Sequence, residues 1–141
     1  MTPFVRRALF LIAAFSLAGC AVLQPVAPPP EPSGNTAVVA LLHKAQSQAA
    51  AGQMDAAGAN LERAMRIEPR NPALWQELAR VRLEQGQYRQ AENLAAKSNA
   101  LAGGNRYLLA ENWRIIGDAR SRRGDLQGAR AAFEKAEKQA P

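Results

Sequence analysis

The sequence holds one cysteine, Cys20, and one histidine, His43. That scarcity excludes a disulfide framework and any zinc site built from several Cys and His ligands. No nucleophile stands beside a base in a catalytic spacing. Gly103-Gly104 lacks the Lys-Ser/Thr that would complete a phosphate-cradling loop. Asp118 and Asp125 alternate with arginines and read as solvated salt-bridging faces, not as a catalytic pair. Long apolar runs are also missing. The longest, Ala8 to Leu17, has ten residues, too few to cross ~30 Å of hydrocarbon as a helix. Nor does one sign of charge dominate: the formal charge is +6, and +4 once Arg6 and Arg7 are set aside with the leader described next. Such mild basicity serves solubility, and the cluster Arg120, Arg122, Arg123 with Arg130 carries no interleaved aromatics, so nucleic acid is excluded as a partner. These absences point to a chain that is not an enzyme and that needs neither metal nor cofactor.

What is present begins with an address. Arg6 and Arg7 form a positive n-region, the apolar run follows, and Leu17-Ala18-Gly19-Cys20 closes the segment. The segment resembles a bacterial lipoprotein signal with its lipobox. The resemblance implies cleavage after residue 19 and lipid on Cys20, which explains why the single cysteine sits there. Several acyl chains on one residue anchor stably, at ~0.8 kcal/mol per buried CH₂. Residue 21 is Ala rather than Asp. By the same resemblance this implies the outer membrane, facing the periplasm.

Residues 20–36 follow as a tether. Pro25, Pro28, Pro29, Pro30 and Pro32, then Ser33 and Gly34, oppose helix and central strand alike. Extended at ~3.1 Å per residue, the stretch from Cys20 to Asn35 reaches ~50 Å.

From residue 37 onward the chain repeats itself. Gly52 and Gly86 are 34 residues apart, and Gly86 and Gly124 are 38 apart, which is one extra helical turn. Around these glycines Ala57, Ala64 and Pro69 precede Trp75, Leu78, Ala79 and Ala91; Trp113, Ile116, Gly117, Ala129, Phe133 and Ala136 continue the pattern. This pattern resembles the tetratricopeptide repeat family. The resemblance implies an all-α fold of three helix-turn-helix repeats, at about 38–71, 72–105 and 106–141, forming a short right-handed solenoid over residues 37–141. The expected helices are 36–51, 55–68, 72–85, 88–101, 105–123 and 126–139. Ile67, Trp75, Tyr88, Leu94, Leu126 and Phe133 are expected to face inward. Tyr107 with Leu108 or Leu109 is expected to pack back on the second repeat. Ser98 stands where the family prefers Ala.

In that family the first helices line a concave surface that holds partner segments. The matching positions are Val39, Leu42 and Gln46 in repeat one; Ala73, Gln76, Arg80, Leu83 and Glu84 in repeat two; Glu111, Arg114, Asp118, Ser121 and Arg122 in repeat three. The groove should be apolar at one end and arginine-rich at the other, suiting a segment with apolar anchors and one acidic group.

The layout of lipobox, Pro-rich tether and small repeat domain is similar to that of outer-membrane lipoproteins that activate bifunctional penicillin-binding proteins. It implies a lipid-anchored periplasmic adaptor for another envelope protein. Direct binding of peptidoglycan or lipid by the Arg-rich surface is the alternative, and so is an assembly factor for pili or outer-membrane proteins.

Overall fold

A computed structural model describes residues 32–140. The leader, Cys20 and the tether up to residue 31 lie outside the described residues. Six helices follow one another: α1 (Thr36–Ala50), α2 (Met54–Ile67), α3 (Pro72–Glu84), α4 (Tyr88–Leu101), α5 (Arg106–Arg122) and α6 (Leu126–Gln139), with no strand among the described residues.

The first helix of every pair starts on an asparagine. Asn35 Oδ1 accepts from the Ala37 N–H, Asn71 Oδ1 from Ala73 and Asn105 Oδ1 from Leu108, at 3.0, 3.0 and 3.1 Å. Each cap satisfies a backbone donor that the helix leaves open, a contribution of ~1 kcal/mol. Pro72 occupies the first turn of α3, where its missing N–H costs nothing. Each first helix ends in a tight turn. Gly86 closes α3 with φ +75°, and Gly52 and Gly124 stand likewise after α1 and α5. Residues with a Cβ are strained in that left-handed region.

Helices pair within repeats (α1 with α2, α3 with α4, α5 with α6), and α2, α4 and the first helices join the pairs into a short solenoid. One apolar cluster unites Val38, Leu42, Leu61, Leu74, Leu78 and Val81, spanning α1 to α3. A second unites Ala79, Leu83, Ala91, Ala95, Ile115 and Ile116, spanning α3 to α5 and reaching Ala132 of α6. Leu94 packs against both, so the two clusters form one core. Stacking thus buries a stripe that no pair buries alone. Small residues set the spacing: Ala57, Ala91 and Ala129 are all buried. Gly117 lets α6 come close to α5: a Cβ there would lie 2.5 Å from Cε1 of Phe133.

Several expected inward residues lie elsewhere. Trp75 is only partly buried; its indole N–H donates to the Pro69 carbonyl at 2.8 Å, and Lys97 Nζ sits 5.9 Å from the ring centroid. The neighbouring Leu74 fills the core instead. Trp113 is also partly buried and lies under Lys135 Nζ, at 4.3 Å. The indoles therefore act as lids on the core rim, apolar inside and polar or cationic outside. Ile67 and Leu126 are 46% and 68% exposed. Each sits at a helix end, beyond the reach of the neighbouring layer.

Ser98 is fully buried, and its departure from the family's alanine has a purpose. Its hydroxyl donates to the Pro72 carbonyl at 2.8 Å and accepts from Asn112 Nδ2 at 2.8 Å. Asn112 Oδ1 accepts from Gln76 Nε2 at 3.0 Å, and that amide also reaches the Leu108 carbonyl at 3.3 Å. Asn112 and Gln76 are buried too. The chain of bonds ties α3, α4 and α5 together across the repeat boundary, each buried polar group finding a partner.

Candidate functional site

The first helices of all three repeats open onto one depression of about 400 Å³. Leu42 and Gln46 come from α1, Gln76 and Arg80 from α3, and Tyr107 and Leu108 from α5. The helix-starting Asn71 and Asn105 close one end, together with Pro32. Gln46, Glu77 and Arg80 also border an adjoining depression of about 380 Å³ that runs past Ala49, Met54 and Glu84. The two share a wall, so the concave side carries a continuous groove along α1 and α3.

The geometry follows from the packing. Helical spacing places Gln76 and Arg80 four residues apart on one face of α3, above the buried Leu74 and Leu78. The part-buried bond from Gln76 to the Leu108 carbonyl ties α5 to α3 at the edge of the depression. Tyr107, one residue earlier, is 44% exposed and lines the groove rather than packing back on repeat two.

Both signs of charge meet at the groove. Arg80 Nη2 donates to Glu111 Oε2 at 2.9 Å, and Arg114 pairs with the other oxygen of the same carboxylate. Two guanidinium groups share one acid, and the arginine side chains stay 43% and 51% exposed. Such exposed pairs contribute ~0–1 kcal/mol each to stability. Glu77 and Glu84 also line the two depressions, so the arginines are matched by acids.

The expected groove residues therefore separate. Leu42, Gln46, Gln76 and Arg80 come together, and Glu84 lines the adjoining depression. Leu83 is buried in the core and presents little surface to a partner. Val39 is half-buried beside the groove without lining it, while Arg114, Asp118 and Arg122 are exposed further along α5. Asn71, Tyr107 and Leu108 were not anticipated as lining, because the chain bends at the repeat boundary and brings helix starts into the groove. The recurrence of Asn at 35, 71 and 105 was the available signal. The second basic cluster divides as well: Arg120 and Arg123 both pair with Glu92 of α4, at 2.6 and 2.9 Å, while Arg122 and Arg130 are exposed.

The described chain begins with a clasp at the groove edge. Asn71 Nδ2 donates to the Pro32 carbonyl and to Glu68 Oε2, and Ser33 Oγ donates to Glu68 Oε1 at 2.7 Å. The bonds from Asn71 and Ser33 favour the charged carboxylate and hold the Glu68 pKa below its ordinary value. Among the described residues no group of His, Cys, Asp and Glu gathers as for a metal ion, and no described helix is long and apolar enough to cross a membrane.

Comparison with known proteins adds two findings. Residues 48–110 match the family pattern of the tetratricopeptide repeat. The chain is also similar to the globular C-terminal domain of LpoP from P. aeruginosa, with 42% sequence identity and a TM-score of 0.72. That likeness covers 74% of this chain and 99% of the LpoP domain. No curated protein sequence matches.

Proposed function

Because the chain belongs to the tetratricopeptide-repeat family of the LpoP C-terminal domain, we propose that it is a periplasmic adaptor, held at the outer membrane by lipid on Cys20, that binds and activates a peptidoglycan synthase of the class A penicillin-binding proteins. Its division into a leader at 1–19, a tether at 20–36 and a repeat domain at 37–141 belongs to this reading. The observation that carries it is the groove: three first helices offer one concave surface on which Leu42, Tyr107 and Leu108 lie near Arg80 and Glu77. A surface of that kind holds a segment of another protein and performs no chemistry of its own. The similarity to an entire LpoP domain supports the adaptor role, and the layout of lipobox, Pro-rich tether and small repeat domain supports the synthase as its object.

The test is crosslinking in living cells followed by affinity capture of the full chain. The reading expects one dominant envelope protein, a class A penicillin-binding protein, lost when Arg80 and Arg114 are both changed to Glu. Recovery of peptidoglycan or lipid alone would instead favour direct glycan or lipid binding. Cys20→Ala should move the protein from the membrane fraction to the soluble periplasm; unchanged membrane association would remove the lipid anchor from the account.

A further inference from the structure

Short turns join helices that run antiparallel, so the starts of α1, α3 and α5 and the ends of α2, α4 and α6 gather on one edge of the solenoid. Bonds across that edge bear this out: Ser98 Oγ donates to the Pro72 carbonyl and Arg106 Nη2 to the Ala140 carbonyl, each at 2.8 Å. The clasp fixes the first described residues to the same edge, Pro32 to Asn71 and Ser33 to Glu68. From Cys20 to Pro32 the chain extends ~37 Å at most. The edge, and not the glycine turns opposite, is what the tether brings to the bilayer.

The side chains there suit a headgroup layer. Arg66, Ile67 and Arg70 are exposed around the connection of α2 to α3, and the exposed Arg106 and Tyr107 open α5. The half-buried Trp75 ring lies between them under Lys97. Among the described residues Arg66, Arg70 and Lys97 pair with no carboxylate. Arg106 gives Nη2 to carbonyls at the end of α6, which leaves its charge uncancelled. The edge's acids are fewer, and one of them, Glu68, is held by Ser33 and Asn71. Amphipathic rings and an exposed aliphatic side chain set among cations are what the bilayer–water interface collects. The opposite edge is different. There Arg82 pairs with Glu62, Arg120 and Arg123 share Glu92, and the exposed Leu126 follows Asp125.

We propose that this edge is a docking surface for anionic phospholipid, on which the repeat domain stands with Ile67 at the headgroup boundary and Arg66, Arg70 and Arg106 on lipid phosphates. The proposal rests on the lipid anchor at Cys20 and goes beyond the adaptor reading, because it fixes how the domain is presented. On the tether alone the domain would turn freely. Standing on its edge, it keeps the groove, which follows α1 and α3 from their starts, rising away from the bilayer. A weak contact suffices, because the tether holds the edge within ~37 Å of the headgroups and so at a high effective concentration.

The chain's only cysteine is the one assigned to the lipid, so Ile67→Cys adds a single thiol for an environment-sensitive NBD fluorophore. Leu126→Cys places the same label on the opposite edge. Each full-length, lipid-bearing protein is reconstituted into vesicles of phosphatidylglycerol and phosphatidylcholine in equal parts, and into phosphatidylcholine alone. The label at Ile67→Cys should brighten and shift to the blue in the anionic vesicles only, and high salt should reverse the change. The label at Leu126→Cys should change in neither. Adding Arg66→Gln and Arg70→Gln should weaken docking by roughly 25-fold, at about fivefold for each arginine, and so abolish the change. Arg122→Gln should leave it intact. An equal change at both positions, a change at Leu126→Cys alone, an equal change in neutral vesicles, no change at all, or a change that survives the loss of both arginines would each overturn the proposal. Flotation of the vesicles separates this failure from failure of the anchor. Protein that floats without a change in emission sinks the docking surface alone, whereas protein that does not float sinks the anchor on Cys20 and the docking surface together.

Discussion

A single hydroxyl illustrates how much of this fold turns on individual residues. Ser98 sits where the family favours alanine, and the alanine would remove the donor to Pro72 and the acceptor for Asn112. Ser98→Ala should therefore cost ~1–3 kcal/mol, read as a lower urea midpoint, although it moves toward the family's preference. An unchanged midpoint would show that the buried network contributes nothing. Gly117→Ala should be destabilising by ~1–3 kcal/mol through the clash with Phe133; a variant as stable as the parent would mean that the ring moves aside freely. For the indole lids the order of effects is the test. Leu74→Ala should cost ~2–5 kcal/mol, more than Trp75→Ala, because Leu74 is fully buried and Trp75 is not. The reverse order would place the tryptophan back in the core. Sequence spacing put Trp75 on the inward face, and helical periodicity alone could not tell the middle of that face from its edge.

At the scale of elements, the six helices lie within one or two residues of the spans that glycine, proline and asparagine predict. Their limits are chemical, not statistical: caps and turns are read from residue types whose backbone preferences are strong. The groove was legible in part for the same reason. Arg80 and Gln76 follow from spacing along α3. Tyr107, Leu108 and Asn71 depend on how one repeat sits on the next, which a buried side-chain network decides and periodicity does not encode. The clasp at the head of α1 gives this scale its pH dependence. Glu68 has a lowered pKa in the folded chain, so its contribution is complete above the unfolded value of ~4.3. It is lost as pH falls through the lower folded value. The protection of the Val38 and Val39 amides, taken relative to their intrinsic exchange rates, should therefore fall below about pH 4 while that of central α3 does not. Glu68→Gln should show the lowered protection already at neutral pH. Equal exchange in both proteins would mean that Glu68 does not hold the segment.

For the molecule as a whole, the concave surface of the fold and the likeness to the LpoP domain both suit an adaptor. In the proposed reading the chain holds its partner near a membrane, within the ~50 Å that sixteen extended residues allow. On that reading the partner must approach the outer membrane, so lengthening the tether should leave binding intact while shortening it abolishes action in cells. The most direct test of the account is the rate of glycan-strand polymerisation by a purified class A penicillin-binding protein, measured with and without the full-length chain. The account predicts a rate that rises saturably with the wild-type protein and stays at its basal value with Arg80→Glu, Arg114→Glu. A rate unmoved by the wild type, or raised equally by the variant, would contradict it.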